Sequence, residues 1–281
     1  MTRLTRFFSS RFQPARSSAS RSRRQVNEAG WDDYARTWDS TRDRGQIPDL
    51  SADRATEVEY LGDEWSLMED SAFPYGVDIR SVKEFADYID ARLLTAHLPA
   101  RDDLRIMEIG PGGGRLTKLL LPHARQFYAV DISKAMLQRL QRRFLDQTKI
   151  VPIVTDGTHI GGIPTGSLDA AVSFDAFVHM EPWEVFRYLE IIHTLLREGG
   201  VGIVHFSDVE TAIGFRLFRS QVPSVVKTGI DCATFSVMSK GIMERFLKEL
   251  GFDIVTITND VIPRDAVAVF RRNGSAAGVG V

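Results

Sequence analysis

Residues 108–115 combine a carboxylate, alternating glycines and an arginine directly after a short apolar run. The segment is Glu108-Ile109-Gly110-Pro111-Gly112-Gly113-Gly114-Arg115, and a helical pattern follows it. Glycines let the backbone turn sharply and let a ligand lie against it, because no Cβ stands in the way. The dinucleotide fingerprint G-x-G-x-x-G would need a further glycine where the chain has Arg115. The loop therefore predicts a ligand that has no pyrophosphate.

Two further acids follow the next two predicted strands. Asp131 ends the second strand, and Asp156 ends the third, directly before Gly157 and Thr158. A carboxylate at the first place can accept two hydrogen bonds from a ribose diol. One at the second place can accept from an exocyclic amine such as that of adenine, while the Gly157 amide faces a ring nitrogen. The alternative is that both acids cap helix N-termini. Their position at successive strand ends favours ligand binding.

Candidate acid–base residues follow the fourth and fifth strands. The segment after strand four contains Phe174, Asp175 and His179, and strand five ends with His205 and Asp208 nearby. His179, Asp175 or His205 could remove a proton from a hydroxyl, because these residues follow strands at the ligand edge. The alternative for each histidine is local packing and hydrogen bonding. Asp–His sets can hold Mg²⁺, but the spacing here singles out no metal ligand.

The elements that must position these residues alternate from Leu104 onward. The predicted strands are Leu104–Ile109, Phe127–Val130, Ile150–Val154, Leu168–Ser173 and Val201–Phe206, and the helical stretches between them are Arg115–Leu121, Ser133–Asp146 and Pro182–Leu196. The last of these helices is expected to stop at Gly199-Gly200. Such alternation predicts right-handed βαβ units and a parallel sheet. Pro152 would remove a ladder hydrogen bond, so the third strand is expected at a sheet edge.

The C-terminal region departs from this repeat. A helix at Ser239–Leu250 precedes two strands, Phe252–Thr258 and Ala266–Phe270, whose connection is too short for a parallel crossover. The chain is therefore predicted to form a doubly wound, Rossmann-like α/β sheet of seven strands, mostly parallel and closed by an antiparallel hairpin. The domain is expected to span residues 101–272, followed by a flexible tail at 273–281. The segment 211–235 is either part of a variable ligand site or a hydrophobic cover for the sheet.

The N-terminal part lacks strand patterns. Residues 1–27 are rich in arginine and serine and contain no acid, which is typical of a disordered basic tail or of a mitochondrial transit peptide. Residues 28–100 are predicted to form a helical cap or lid. It contains an aromatic stripe at Trp31, Tyr34 and Trp38. A helix beginning near Ser81 completes this segment.

Whole-chain properties narrow the classes of function. The 281 residues have a formal net charge of -2 and one cysteine, so neither a disulfide nor a strongly basic nucleic-acid surface is expected. No apolar run is long enough to cross a bilayer. The expected location is the cytoplasm, or the mitochondrial matrix if the source is eukaryotic. A homodimer is left open.

These motifs resemble the class I S-adenosylmethionine (SAM)-dependent methyltransferases of the small-molecule type, whose loop is E-x-G-x-G-x-G. The run Leu-Leu-Arg-Glu-Gly-Gly at 195–200 is similar to the family's L-x-P-G-G turn, with Glu198 in place of proline. The resemblance implies that the loop binds the methionine and ribose parts of SAM, Asp131 the ribose hydroxyls and Asp156 the adenine amine. The expected cofactor contacts are Glu108, Gly110, Gly112, Gly114, Asp131, Ile132, Asp156, Gly157 and Phe174.

The resemblance implies methyl transfer from SAM to a small-molecule acceptor, most simply a hydroxyl oxygen. The segment 61–65, Leu-Gly-Asp-Glu-Trp, is similar to one that precedes the core in some bacterial O-methyltransferases, and it predicts part of a lid. A SAM-binding regulatory or inactive subunit is the alternative from another class, and an NAD-dependent oxidoreductase is the enzymatic rival. Nucleic-acid methylation is disfavoured, because no N/D-P-P-Y/F motif follows strand four.

Overall fold

The computed structural model describes residues 23–43 and 82–274. Residues 1–22 of the predicted tail, which was expected to extend to residue 27, lie outside the described residues, as do the segment 61–65 and the end of the chain after residue 274. The helices are α1 Arg23–Asp43, α2 Val82–Ile89, α3 Arg115–Leu120, α4 Lys134–Arg143, α5 Pro182–Leu195, α6 Ala212–Thr228 and α7 Lys240–Glu249. The strands are β1 Leu104–Ile109, β2 Ala124–Asp131, β3 Ile150–Val154, β4 Leu168–Ser173, β5 Leu196–Phe206, β6 Phe252–Thr258 and β7 Ala266–Arg272.

The strands form one seven-stranded sheet in the order β3-β2-β1-β4-β5-β7-β6. Strands β1 to β5 pair in parallel, and β7 runs antiparallel to both of its neighbours, β5 and β6. The predicted doubly wound sheet with an antiparallel C-terminal hairpin is confirmed. The strand order reverses between β1 and β4, and open α/β sheets bind ligands at such a switch point.

Strand β3 lies at the edge of the sheet, as Pro152 predicted. Pro152 is paired in register with Ala129 of β2, and no strand of the described chain pairs with its other side. A proline at this edge costs no ladder bond, because its missing N–H would have faced away from the sheet. The exposed side chain of Val154 on the same strand is consistent with an edge position.

The largest differences from the predicted element boundaries are at the start of β5 and at the start of α1. Strand β5 begins at Leu196, and residues 199–200, which were expected to end the preceding helix, lie inside this strand. Leu196 already pairs with Leu168, and Gly199 adopts a positive φ of 69° within an irregular stretch of the β4–β5 ladder. The pairing with β4 resumes at Val201, so residues 197–200 form an irregular stretch within the strand. Helix α1 begins at Arg23, so the predicted boundary between residues 27 and 28 falls inside it.

Buried apolar side chains cover both faces of the sheet. One cluster packs α5 and α7 against one face, with Leu189, Leu247 and Phe270 at its centre. The other packs α2, α3 and α4 on the opposite face around Leu94 and Leu120. This layered packing fixes the positions of the strand ends. No helix within residues 23–43 and 82–274 is long and apolar enough to cross a bilayer.

Candidate active site

A cavity of about 780 Å³ opens at the carboxyl edge of the sheet, at the β1/β4 switch point. This volume lies within the range of roughly 300–1,000 Å³ that small-molecule sites occupy. The glycine loop, the ends of β2 and β4, the turn after β3 and the inner face of α1 surround it. The predicted site residues that line it are Glu108, Gly110, Gly112, Asp131, Ile132, Asp156, Gly157, Phe174, Asp175 and His179.

The three alternating glycines serve different purposes. A Cβ on Gly110 would lie 2.4 Å from the Cβ of Ala176, so this glycine lets the loop pack against the segment after β4. A Cβ on Gly114 would lie 2.5 Å from the ring of Phe144, so this glycine admits α4. Gly112, at φ +51°, has no heavy atom within 4 Å of its Cβ position. Gly112 is therefore the position where a ligand can approach the backbone.

Two carboxyl groups lie at the base of the cavity. Glu108 is 2% exposed and its Oε2 accepts a hydrogen bond of 2.5 Å from the hydroxyl of Thr117. Burial raises the pKa of Glu108 to about 8, and the nearby Asp131 adds to the shift. Burial likewise raises the pKa of Asp131 to about 7, although backbone N–H groups, including that of Ser133 at 2.8 Å, oppose the shift. A ligand that donates hydrogen bonds to these carboxyl groups would therefore stabilise their ionised forms.

Asp156 holds the turn after β3. Its Oδ1 accepts hydrogen bonds from the backbone N–H groups of Thr158 and His159, both at 2.9 Å, and from the Thr158 hydroxyl at 2.7 Å. These bonds lower the pKa of Asp156 to about 2, with the Thr158 hydroxyl as the largest cause. Its Oδ2 lies 3.9 Å from the guanidinium of Arg24 on α1. One oxygen therefore shapes the turn, and the other lies beside α1.

Helix α1 closes the cavity from above. Asp32 accepts hydrogen bonds from the hydroxyl of Ser133, at 2.5 Å, and from the backbone N–H of Ala135, at 3.3 Å, at the start of α4. The ring of Trp31 meets that of His179 edge-on, with centroids 5.4 Å apart. Asn27 reaches Glu184 of α5 at 3.5 Å. These contacts make α1 a wall of the cavity, and the lid role of residues 28–100 as a whole stays a prediction.

Asp175 has an unusual backbone and a charged environment. It is the only non-glycine residue with a positive φ, 63°, in the part of the chain that the structure describes. Its Oδ2 accepts a hydrogen bond of 3.2 Å from Arg115, and its Oδ1 lies 3.8 Å from Arg264. Both carboxylate oxygens thus face guanidinium groups, and the expectation that Asp175 removes a proton stays a prediction.

His179 lies partly buried in the cavity wall. Its Nδ1 is 3.4 Å from the backbone carbonyl of Thr234, which can only accept, so Nδ1 carries the proton and Nε2 keeps its lone pair. Burial lowers the pKa of His179, while the nearby Asp175 opposes that shift. The ring is therefore neutral at physiological pH and retains one nitrogen that can accept a proton.

His205 does not reach the cavity. It is 0% exposed, its Nδ1 accepts from the backbone N–H of Asp175 at 3.0 Å, and its Nε2 lies 2.9 Å from Oδ2 of Asp265. Both ring nitrogens are thus committed inside the protein. The expectation that His205 removes a proton from an acceptor does not fit this placement. Asp208 is also fully buried, and its Oδ2 accepts from the side-chain amide of Asn259 at 3.0 Å.

Several lining residues were not predicted as site residues. Arg24 and Asn27 come from α1, and Tyr188 comes from α5. Cys232 and Ala233 belong to the predicted variable segment 211–235, which therefore contributes to the wall. Trp31 was predicted only as part of a helical stripe, whose spacing shows an apolar face but not what it covers. Within residues 23–43 and 82–274, no group of three or more His, Cys, Asp or Glu side chains is arranged to hold a metal ion.

This fold and this cavity have the features expected of a class I SAM-dependent methyltransferase domain. Its marks are the strand order, the antiparallel β7, and a glycine loop followed by acids at the ends of β2 and β3. Residues 106–200 match the family model described as a methyltransferase domain. Residues 106–200 are therefore similar to methyltransferase domains, as the resemblance predicted.

Individual relatives match parts of the chain. An uncharacterized methyltransferase of Bacillus thuringiensis is 30% identical over 145 residues, which are 52% of this chain and 65% of that protein. Ribosomal RNA small subunit methyltransferase A of Prochlorococcus marinus is 41% identical over 73 residues, 24% of this chain and 26% of that protein. The chain thus matches about a quarter of the latter's length and less than two thirds of the former's.

Solved structures share the fold at low sequence identity. Magnesium protoporphyrin IX methyltransferase from Synechocystis, solved with S-adenosylhomocysteine (SAH) bound, superposes with a TM-score of 0.51 at 16% identity. The superposition covers 86% of this chain and 98% of that one. At this identity the likeness concerns the fold alone.

Proposed function

We propose that the chain transfers a methyl group from SAM to a hydroxyl oxygen of a small molecule. Bound SAM would supply a methyl group already activated on a sulfonium. The residues present fit this donor, since Gly112 leaves open space in a cavity whose buried carboxyl groups have raised pKa values. Asp131 would accept from the ribose hydroxyls, because an ionised carboxylate forms strong paired hydrogen bonds with a diol. Asp156 would accept from the adenine amine through Oδ2.

The amino-acid end of the donor carries one ammonium and one carboxylate, and the cavity offers a matching pair. Arg115 and Asp175 both line the cavity and lie 3.2 Å apart. We infer that Arg115 binds the carboxylate and that Asp175 binds the ammonium. The same two residues form an ion pair when the donor is absent, so each charge has a partner before and after binding.

The observation that carries the hydroxyl acceptor is the tautomer of His179. Because Nδ1–H of His179 donates a hydrogen bond to the carbonyl of Thr234, Nε2 is left as a neutral base in the cavity wall, beside Trp31. Methyl transfer to a hydroxyl needs a group that removes the proton as the bond forms. The lowered pKa of His179 keeps the ring in its basic form at neutral pH. Alignment and exclusion of water by α1 supply the rest of the rate.

The test is methyl transfer from methyl-labelled SAM to a fractionated small-molecule extract, followed by identification of the labelled product. His179→Ala should lower the transfer rate about a hundredfold or more while the SAH dissociation constant stays within a few-fold. His123→Ala is the matched control, because His123 precedes β2 at the opposite edge of the sheet. Wild-type activity should rise with pH through a pKa below the usual histidine value.

Other outcomes would support other functions. SAH binding without any labelled product would favour a SAM-binding regulatory subunit. Label in RNA rather than in small molecules would favour an acceptor like that named for the Prochlorococcus relative. If a labelled product forms and His179→Ala keeps full activity, His179 is not the base that removes the acceptor's proton. The acceptor would then be a nucleophile that needs no base.

A further inference from the structure

The backbone of Asp175, which has a positive φ, donates a hydrogen bond to a buried histidine, His205. Residues other than glycine rarely adopt a positive φ, and Asp175 holds 63° at the start of the segment after β4. Its backbone N–H points to Nδ1 of His205 at 3.0 Å. The ring of Phe174 stacks on that of His205, with centroids 4.4 Å apart and planes 22° from parallel. The imidazole thus holds the two residues that enter the cavity from β4.

The tautomer of His205 is fixed from its other side. A backbone N–H can only donate, so Nδ1 of His205 is the acceptor and its proton is on Nε2. Nε2 then donates to Oδ2 of Asp265, 2.9 Å away, and both side chains are 0% exposed. Arg264 donates to the same oxygen from Nε at 2.8 Å and reaches Asp175 with its Nη2. Asp265 therefore orients His205 and Arg264, two of the groups that contact Asp175.

We infer that the buried His205–Asp265 pair is a positioning device: it holds the backbone of Asp175 in its positive-φ conformation and so sets where the Asp175 carboxylate stands in the cavity. This inference rests on the proposed function, in which Asp175 binds the ammonium of the donor. His205 acts through Asp175 and touches neither donor nor acceptor. Because His205 is fully buried, it cannot remove a proton from an acceptor in the cavity, but it can hold the Asp175 backbone in place.

Two amide substitutions separate the two ring nitrogens of His205. In His205→Asn the amide oxygen lies near the former Nδ1 and can still accept from the Asp175 N–H, but the side chain is too short for Asp265. In His205→Gln the amide reaches toward Asp265, but no acceptor remains near the Asp175 N–H. Both replacements are polar and smaller than histidine, so they form a matched pair.

The measurement compares two ligands by calorimetry on the full chain. SAH has the amino-acid end, and 5′-methylthioadenosine keeps the nucleoside and the sulfur but lacks that end. His205→Gln should weaken SAH binding about tenfold, as expected for one lost hydrogen bond near a charged group, and leave 5′-methylthioadenosine binding within twofold. His205→Asn should retain most of the SAH affinity. In an Asp175→Ala background, the effect of His205→Gln on SAH should disappear.

The results also separate this inference from the proposed function. Equal weakening of both ligands by His205→Gln, or equal behaviour of the Asn and Gln variants, would overturn the positioning role while SAH still binds. No binding of SAH to the wild-type chain would overturn the proposed function itself. Long-range ¹H–¹⁵N spectra of the wild-type protein test the arrangement without any variant. They should show His205 unprotonated at Nδ1, and a proton at that nitrogen would refute the inference.

Discussion

The ionisation of Asp131 should control how tightly the donor binds. Burial, with a contribution from the charge of Asp32, raises the pKa of Asp131 to about 7 in the ligand-free protein. The ribose hydroxyls donate hydrogen bonds, so they favour the ionised carboxylate. If the ligand binds only the ionised form of a carboxyl group, the affinity of the protein for that ligand rises as the pH rises through the pKa of the group. SAH should therefore bind more tightly at pH 8 than at pH 5.

The magnitude follows from the ionised fraction. At two pH units below a pKa of about 7, roughly 1% of Asp131 is ionised, and the apparent affinity falls in proportion, by up to about a hundredfold. Asp131→Asn keeps the shape but loses the charge-assisted bonds. It should weaken SAH binding by about 2 kcal/mol at pH 8, roughly thirtyfold, and differ little from the wild type at pH 5.

Calorimetric titration with SAH between pH 5 and pH 9 measures this directly. Asp32→Asn is the companion variant, because it removes a negative charge near Asp131 but keeps an oxygen for Ser133. Its affinity profile should move to lower pH, since Asp32 is one cause of the raised pKa. A wild-type profile that is flat, or an Asp131→Asn profile with the same slope as the wild type, would refute the assignment of Asp131 to the ribose.

Two more predictions concern the loop and α1. Gly112→Ala and Gly199→Ala both put a Cβ at a positive φ with open space around it, so each should cost about 1 kcal/mol of folding free energy. Only Gly112→Ala should weaken SAH binding in calorimetry; equal affinities would show that no ligand lies against Gly112. A chain starting at residue 23 should bind SAH like the full chain, and one starting at residue 44 should bind about tenfold more weakly, since it lacks Trp31 and Asp32. Equal affinity of both truncations would contradict the closing role of α1.

The sheet could be predicted from the sequence because its signals are local. The strands Leu104–Ile109, Ile150–Val154, Leu168–Ser173 and Phe252–Thr258 have the predicted bounds. Each is a short apolar run with clear ends, and Pro152 alone marks the edge. Strand β5 was predicted to begin too late, because glycines usually end helices. Its pairing with β4 at Leu196 and again from Val201 shows that the strand extends to both sides of the glycines.

The cavity residues that directly follow strands could be predicted from the sequence. Those whose side-chain direction or position depends on tertiary packing could not. The glycine loop and Asp131 line it because strand ends meet at one edge of a parallel sheet. His205 also ends a strand, but sequence gives no information on whether its ring turns toward ligand or into the protein. Arg24 and Asn27 were missed because the predicted tail extended to residue 27, whereas α1 begins at Arg23.

The two halves of the cavity have different origins in the chain, and this separates donor binding from acceptor choice. The proposed donor half consists of the loop, the ends of β1, β2 and β3, and Asp175 after β4, which the sheet holds in place. The half around His179 is formed by α1 and by residues 232–233, which reach it from distant parts of the sequence. Trp31 on α1 and residues 232–233 lie outside the strands that position the donor half. Acceptor specificity should therefore vary with these segments, and SAH affinity should follow Asp131 and Gly112.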